Sequence, residues 1–95
     1  MKKTFPLTAP GKDPARVRDK IRHEINKYFG RQRRTKPPTG FDYWLFACKA
    51  GPTPEAATPR EAKELGRVID EVAQSGATEA YVEIVATAER RRFTR

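Results

Sequence analysis

Residues 13–30 have the sequence DPARVRDKIRHEINKYFG, and they determine the first helix and much of the predicted fold. Asp13 is a favourable N-cap, and Pro14 is a favourable first helical residue. The apolar side chains that follow recur at helical spacing on one side: Val17, Ile21, Ile25, Tyr28 and Phe29. Because Gly30 suits a left-handed C-terminal cap, we predict a helix over residues 14–29, with fraying onward through Arg34 as the alternative.

Three further segments have the patterns of strands. Lys2–Thr8 alternates, and Pro6, which cannot donate to a ladder, favours a sheet edge. Tyr43–Lys49 is aromatic-rich and apolar on both parities, which predicts a central strand. Glu79–Thr87 alternates as a third strand, with Val82, Ile84 and Ala86 on one face and Tyr81, Glu83 and Val85 on the other.

A second helix is predicted after Thr58. The sequence Thr58-Pro59-Arg60-Glu61 fits a capping box with proline at the first helical position, and Gly76 ends the helix. The buried stripe is Ala62, Leu65, Val68, Ile69 and Val72.

The predicted order is β-α-β-α-β. It favours an α/β (α+β) fold, a two-layer sandwich in which two helices cover one face of a three-stranded sheet. Right-handed crossovers allow parallel strands, and the Pro-rich connectors equally allow the chain to reverse, so strand order and direction stay open. We predict one domain over residues 1–88 and a flexible basic tail over residues 89–95.

The composition excludes several classes of protein. Of the 95 residues, 37% are hydrophobic and 34% are charged, which fits a modest core. The single cysteine, Cys48, allows neither an internal disulfide nor a four-cysteine zinc site. No apolar run has the length of a signal peptide core or a membrane helix. We therefore expect a cytoplasmic protein with no membrane partner.

The formal net charge of +8 is unevenly distributed. Residues 1–36 carry twelve Lys or Arg and three Asp or Glu, whereas residues 58–88 carry three and six. On the first helix, one sector about 80° wide lies away from the apolar stripe and contains Arg16, Lys20, His23, Lys27 and Arg31. Arg34 joins this sector if the helix passes Gly30.

This charge has two interpretations. A row of cations at helical pitch suits a phosphate backbone, so the first is a non-enzymatic module that binds an anionic polymer, RNA or a ribonucleoprotein. The second is a solvated charged face without a partner. The candidate nucleic-acid-binding residues are Arg16, Lys20, Lys27, Arg31, Arg33, Arg34 and Lys36.

The sheet face opposite the helices is a second candidate surface. If Trp44 and Phe46 face the helices, then Tyr43, Leu45 and Tyr81 face outward. An open apolar face suits a protein partner or a homodimer, two tyrosines would allow base stacking, and an ordinary half-buried sheet is the remaining alternative.

No segment carries a catalytic, cofactor or metal motif, so we expect neither an enzyme nor a cofactor. His23 is the only histidine, and its place on a charged helix face favours a surface residue over a catalytic one. Cys48 lies mid-strand on the predicted core side, which favours a small buried residue over a nucleophile.

Several segments together resemble a family of small uncharacterised bacterial proteins, classed as a domain of unknown function. The resemblance covers nearly the whole chain and rests on Met1-Lys2-Lys3-Thr4-Phe5, the basic first helix, Trp44-x-Phe46-x-Cys48 and Tyr81-Val82-Glu83-Ile84. It implies a compact bacterial α/β protein and implies no activity, because none is established for that family.

Overall fold

The first helix, α1, runs from Pro14 to Arg34 in the computed structural model, which describes residues 1–91. The Asp13 carboxylate accepts a hydrogen bond from the Ala15 N–H at 3.1 Å, which confirms the predicted N-cap. The predicted end at residue 29 is wrong, because Gly30 lies inside the helix without the positive φ that a left-handed cap requires. The helix ends where Thr35 becomes extended and its hydroxyl donates to the Arg31 carbonyl at 3.2 Å.

The strands are β1 (Lys2–Pro6), β2 (Tyr43–Gly51), β3 (Thr58–Arg60) and β4 (Glu79–Glu89). Within residues 1–91 they form one four-stranded antiparallel sheet in the order β1-β4-β2-β3. The edge position of β1 and the central position of β2 are confirmed. The prediction of three strands is wrong by one, and the parallel alternative is excluded because every pairing is antiparallel.

The additional strand, β3, occupies the segment that was predicted to begin the second helix. Pro59 pairs with Lys49 at the sheet edge, where proline's missing N–H is tolerated. Glu61 is the residue that precedes the helical segment, and its backbone N–H donates to Glu64 Oε1 at 3.2 Å. One 3₁₀ turn, Ala62–Glu64, then leads into α2, Leu65–Gln74. The N-terminal cap therefore lies three residues beyond Thr58, whereas Gly76 follows the helix with a φ of +86°, as expected.

The core lies between the two helices and one face of the sheet. Alternate residues of β2 and β4 are buried on this side, and their neighbours are more exposed on the other. The helices contribute Ile21, Ile25, Phe29, Leu65, Val68, Ile69 and Val72, and the strands contribute Phe5, Cys48, Ala50, Ala80, Val82 and Ile84. The opposite sheet face, which we call the open face, has neither α1 nor α2 over it.

The central strands β2 and β4 continue past their edge strands as a two-stranded ribbon. Residues 43–47 pair with residues 85–89, whereas β3 and β1 end near Cys48 and Glu83. The last turns of α1 cover one side of the ribbon: the rings of Phe29 and Phe46 meet edge to face at 5.0 Å, and Trp44 Nε1 donates to the Thr35 carbonyl at 2.8 Å. The ribbon lengthens the molecule to 54 × 24 × 19 Å and supports the C-terminal half of α1.

The predicted tail at 89–95 begins with contacts to the α1–β2 connection. Glu89 belongs to β4, the Arg90 guanidinium lies 5.3 Å from the Phe41 ring centroid, and the Arg91 N–H donates to the Asp42 carboxylate at 2.8 Å. The remainder of the predicted tail, 92–95, lies outside the described residues.

Two glycine substitutions test this backbone. Gly30→Ala should stabilise the protein by about 0.5–1 kcal/mol, because Gly30 is helical and its added Cβ meets open space. Gly51→Ala should destabilise it by about 1–3 kcal/mol, because the added Cβ would lie 2.9 Å from the Ala56 carbonyl oxygen and the Ala57 Cα. Urea unfolding midpoints measure both changes. A destabilising Gly30→Ala would contradict the continuous helix and would favour the left-handed cap.

Candidate nucleic-acid interface

The outer side of α1 carries a straight row of cations, which we call the basic ridge: Arg16, Lys20, Lys27, Arg31 and Arg34. At 100° per residue these positions lie within a sector about 60° wide. All five are exposed, and the row rises about 27 Å along the helix axis. Arg34 belongs to the ridge because α1 continues past Gly30. His23 is exposed in the same sector and widens it to about 80°.

Two further basic side chains of α1, Arg18 and Arg22, are neutralised by carboxylates. Asp70 on α2 accepts from Arg18 Nε at 3.1 Å and from Arg22 Nη1 at 3.0 Å, and it joins the two helices. Asp19 is also paired with Arg22, at 3.0 Å. On the opposite flank, Glu24 forms an ion pair with Lys3 of β1 at 3.0 Å. The acidic residues of α1 and of the facing helix thus point to the flanks and not to the ridge.

Residues 58–88 form an acidic segment, and its three cations pair with carboxylates of the same segment. Arg67 pairs with Glu64 at 3.1 Å and with Glu71 at 3.5 Å, and Arg60 lies 3.3 Å from Glu71. Lys63 pairs with Glu61 at 3.3 Å. In the part of the chain that the structure describes, no ion pair reaches any ridge residue. No ion pair within residues 1–91 therefore compensates the positive charge of the ridge.

Two of the seven predicted residues lie outside the ridge. The Arg33 guanidinium lies over the rings of Phe29 and Phe46, at 5.4 and 5.9 Å from their centroids, so it packs on the flank of α1 above the ribbon. Lys36 is exposed in the connection beyond the Thr35 cap. The structure brings five predicted residues into one line and places these two at its C-terminal end.

A groove beside the ridge was missed by the sequence analysis. It lies between β1 and the first half of α1 and has a volume of about 790 Å³. Arg16 and Lys20 line it together with Lys12, which precedes the helix. The isolated Lys12 gave no signal in the sequence, because its place beside the groove depends on how α1 packs against β1, which the sequence pattern does not show.

The open face does not bring its three predicted residues together. Tyr43 and Leu45 lie on the ribbon with exposed fractions of 39% and 52%, near Val85 at 42%. Tyr81 lies opposite Gly51, six residues along the strands from Leu45, or about 20 Å. The exposed apolar patch is therefore Tyr43, Leu45 and Val85. Alternation along β4 predicted that Val85 shares the outward face of Tyr81, but Val85 was not among the three residues predicted for the interface.

Two side chains have shifted pKa values. Tyr81 donates to Glu83 Oε1 at 2.9 Å, and this hydrogen bond, with smaller contributions from desolvation and the carboxylate charge, raises the pKa of the Tyr81 hydroxyl. Burial raises the pKa of the Cys48 thiol, so less of it is the reactive thiolate near neutral pH. Within residues 1–91 no three His, Cys, Asp or Glu side chains converge as metal ligands.

Comparison with known proteins identifies a family and no activity. A model described as Family of unknown function (DUF6172) matches residues 1–95. No curated protein and no solved structure matches the chain. The predicted resemblance to a family of unknown function is confirmed, whereas bacterial origin stays a prediction. None of the helices described by the structure combines the length and hydrophobicity needed to cross a bilayer.

Proposed function

The chain belongs to the Family of unknown function (DUF6172), a membership that assigns no activity, and we propose from its own residues that it is a non-enzymatic RNA-binding module. The basic ridge is the proposed contact surface, with RNA bound either alone or within a ribonucleoprotein. The observation that carries the proposal is the separation of charge on α1: the flank cations Arg18 and Arg22 pair with carboxylates, and within residues 1–91 the five ridge cations do not.

The ridge has the geometry that a polyanion requires. Its five side chains are exposed and lie in one line, so each can approach a phosphate without moving another element. Every neutralised phosphate releases counterions, and five contacts to a single strand give a slope of about −3.5 in log K against log salt. Affinity should then fall on the order of 10²-fold between 50 and 200 mM salt.

The competing interpretation is a solvated charged face. Solvated helix faces commonly carry compensating pairs at i,i+4, and α2 follows that rule through Arg67 and Glu71. The ridge departs from it over its whole length. The five cations repel one another along about 27 Å, and an anionic partner would relieve this repulsion. The ridge is therefore better suited to an anionic partner than to solvent alone.

A second candidate function is homodimerisation through the ribbon side of the open face. Tyr43, Leu45 and Val85 are large, apolar and at least 39% exposed, and they lie on paired strands. Apolar patches of this kind on a sheet are typical of interaction surfaces. This candidate concerns a surface opposite the helices and is compatible with RNA bound at the ridge.

Single substitutions on the ridge should weaken RNA binding. Lys27→Ala and Arg31→Ala should each lower affinity for a 20-nucleotide single-stranded RNA about 3–10-fold at 100 mM salt and reduce the magnitude of the salt slope by about 0.7, because each removes one phosphate contact. Arg67→Ala, which removes the same charge from a paired cation on α2, is the matched control and should change affinity little. Fluorescence anisotropy at two salt concentrations measures both quantities.

Two results would contradict the proposal. If the native protein does not bind RNA at 50 mM salt, the proposal of an RNA-binding module is wrong. An equal effect of Arg67→Ala and Arg31→Ala would show that net charge, and not the ridge, determines the affinity.

Leu45→Glu tests the second candidate. If the open face forms a dimer, the native protein should show a concentration-dependent mass in sedimentation equilibrium, and Leu45→Glu should shift it to monomer by burying a charge at the interface. Thr39→Glu, in the exposed connection after α1, is the control for the added charge. A native monomer at millimolar concentration would contradict the dimer.

A further inference from the structure

The groove between β1 and α1 combines an apolar floor with a cationic rim. Phe5 of β1 and Val17 and Ile21 of α1 form the floor. Its volume of about 790 Å³ lies in the range of small-molecule sites, roughly 300–1,000 Å³. Phe5 and Ile21 are each 4% exposed and Val17 is half-buried, so of these three side chains Val17 offers the most surface to a ligand. A cleft of this size with an apolar floor suits a ligand with a flat or compact apolar body.

The charges around the groove differ in their availability. At one end, Lys3 is paired with Glu24 at 3.0 Å, and its Nζ lies 4.9 Å from the Phe5 ring centroid, so this pair closes the groove. At the other end, Asp13 is engaged in capping α1. The rim cations Lys12, Arg16 and Lys20 make no ion pair among residues 1–91 and remain available to an anion.

We infer that this groove binds a nucleotide, with the base on the side chain of Val17, above the buried Phe5 and Ile21, and the phosphate held by Lys12, Arg16 and Lys20. Inorganic phosphate would make no contact with the apolar floor, and a neutral apolar ligand would leave the three cations without an anionic partner. Thr8 also lines the groove and offers a hydroxyl to the edge of a base. The ligand therefore has both an apolar body and an anionic group.

The nucleotide has two possible sources, a free mononucleotide or an unpaired nucleotide of an RNA chain. For the RNA chain the inference rests on the proposed function, because Arg16 and Lys20 belong to both the groove and the basic ridge. A base inside a duplex cannot enter the groove without leaving its stack, which is unfavourable. The groove thus adds a preference for unpaired RNA that the ridge alone does not provide.

The first arm of the test titrates the protein with AMP, with adenosine and inorganic phosphate as separate controls, and follows the backbone amide signals by NMR. AMP should bind about 10-fold or more tightly than either control, with the largest shifts around the groove. Thr8→Trp should weaken AMP at least about 10-fold by filling the groove, and Lys12→Ala should weaken it about 3–10-fold by removing a phosphate contact. Thr39→Trp, at an exposed site away from the groove, should leave AMP binding unchanged.

The second arm separates the groove from the ridge. Native protein should favour a single-stranded RNA over its duplex by about 10-fold at equal salt, and Thr8→Trp should lose this preference while keeping the salt dependence. Arg34→Ala, a ridge residue outside the groove, should weaken both RNAs equally and leave AMP unaffected.

Each failure has its own meaning. The groove is not a nucleotide site if AMP binds no better than phosphate, or if AMP binds Thr8→Trp and Lys12→Ala as well as it binds the native protein. Either result would leave the proposed RNA binding by the ridge intact. AMP binding that survives alongside salt-independent or absent RNA binding would overturn the proposed function and keep the groove as a site for free nucleotides.

Discussion

Burial of the apolar stripe of α1 is the constraint on which the surface of this protein depends. Ile21, Ile25 and Phe29 are each 5% exposed or less, and burying each contributes about 1.5–3 kcal/mol. Because these side chains must face the sheet, the rotation of α1 about its axis is fixed. The sector opposite them then faces solvent along the whole helix. The basic ridge occupies that sector, so the packing of α1 against the core is sufficient to keep the ridge exposed.

The distribution of carboxylates completes the charge pattern. Asp70 holds Arg18 and Arg22 on the flank towards α2, and Glu24 holds Lys3 on the flank towards β1. These pairs are partly exposed and contribute modestly to stability, about 0–1 kcal/mol each. Their larger effect is on where charge remains, because they neutralise Arg18, Arg22 and Lys3 and leave the outer row positive. The groove beside β1 lies where this row meets the sheet edge, so an anion in the groove and a phosphate on the ridge would share Arg16 and Lys20.

Local patterns in the sequence predicted those parts of the structure that depend on local chemistry. The Asp13 cap, the stripe of α1, the two faces of β4 and the row from Arg16 to Arg31 all follow from spacing along one element. The errors arose where tertiary contacts override local preference. Gly30 continues a helix because Phe29 and Arg33 pack on Phe46 of the ribbon, and Pro59 joins an edge strand in place of starting a helix. The groove, and the separation of Tyr81 from Leu45, depend on strand order and register, which the sequence left open.

The central proposal is that RNA binds to the outer face of α1 and not to the open face of the sheet. Mapping backbone amide shifts on adding a short single-stranded RNA at low salt tests this claim most directly. The account predicts that the largest shifts follow α1 through Lys20, Lys27 and Arg31, with weak effects on α2. Shifts confined to the ribbon around Leu45 and Val85, with α1 unchanged, would contradict it.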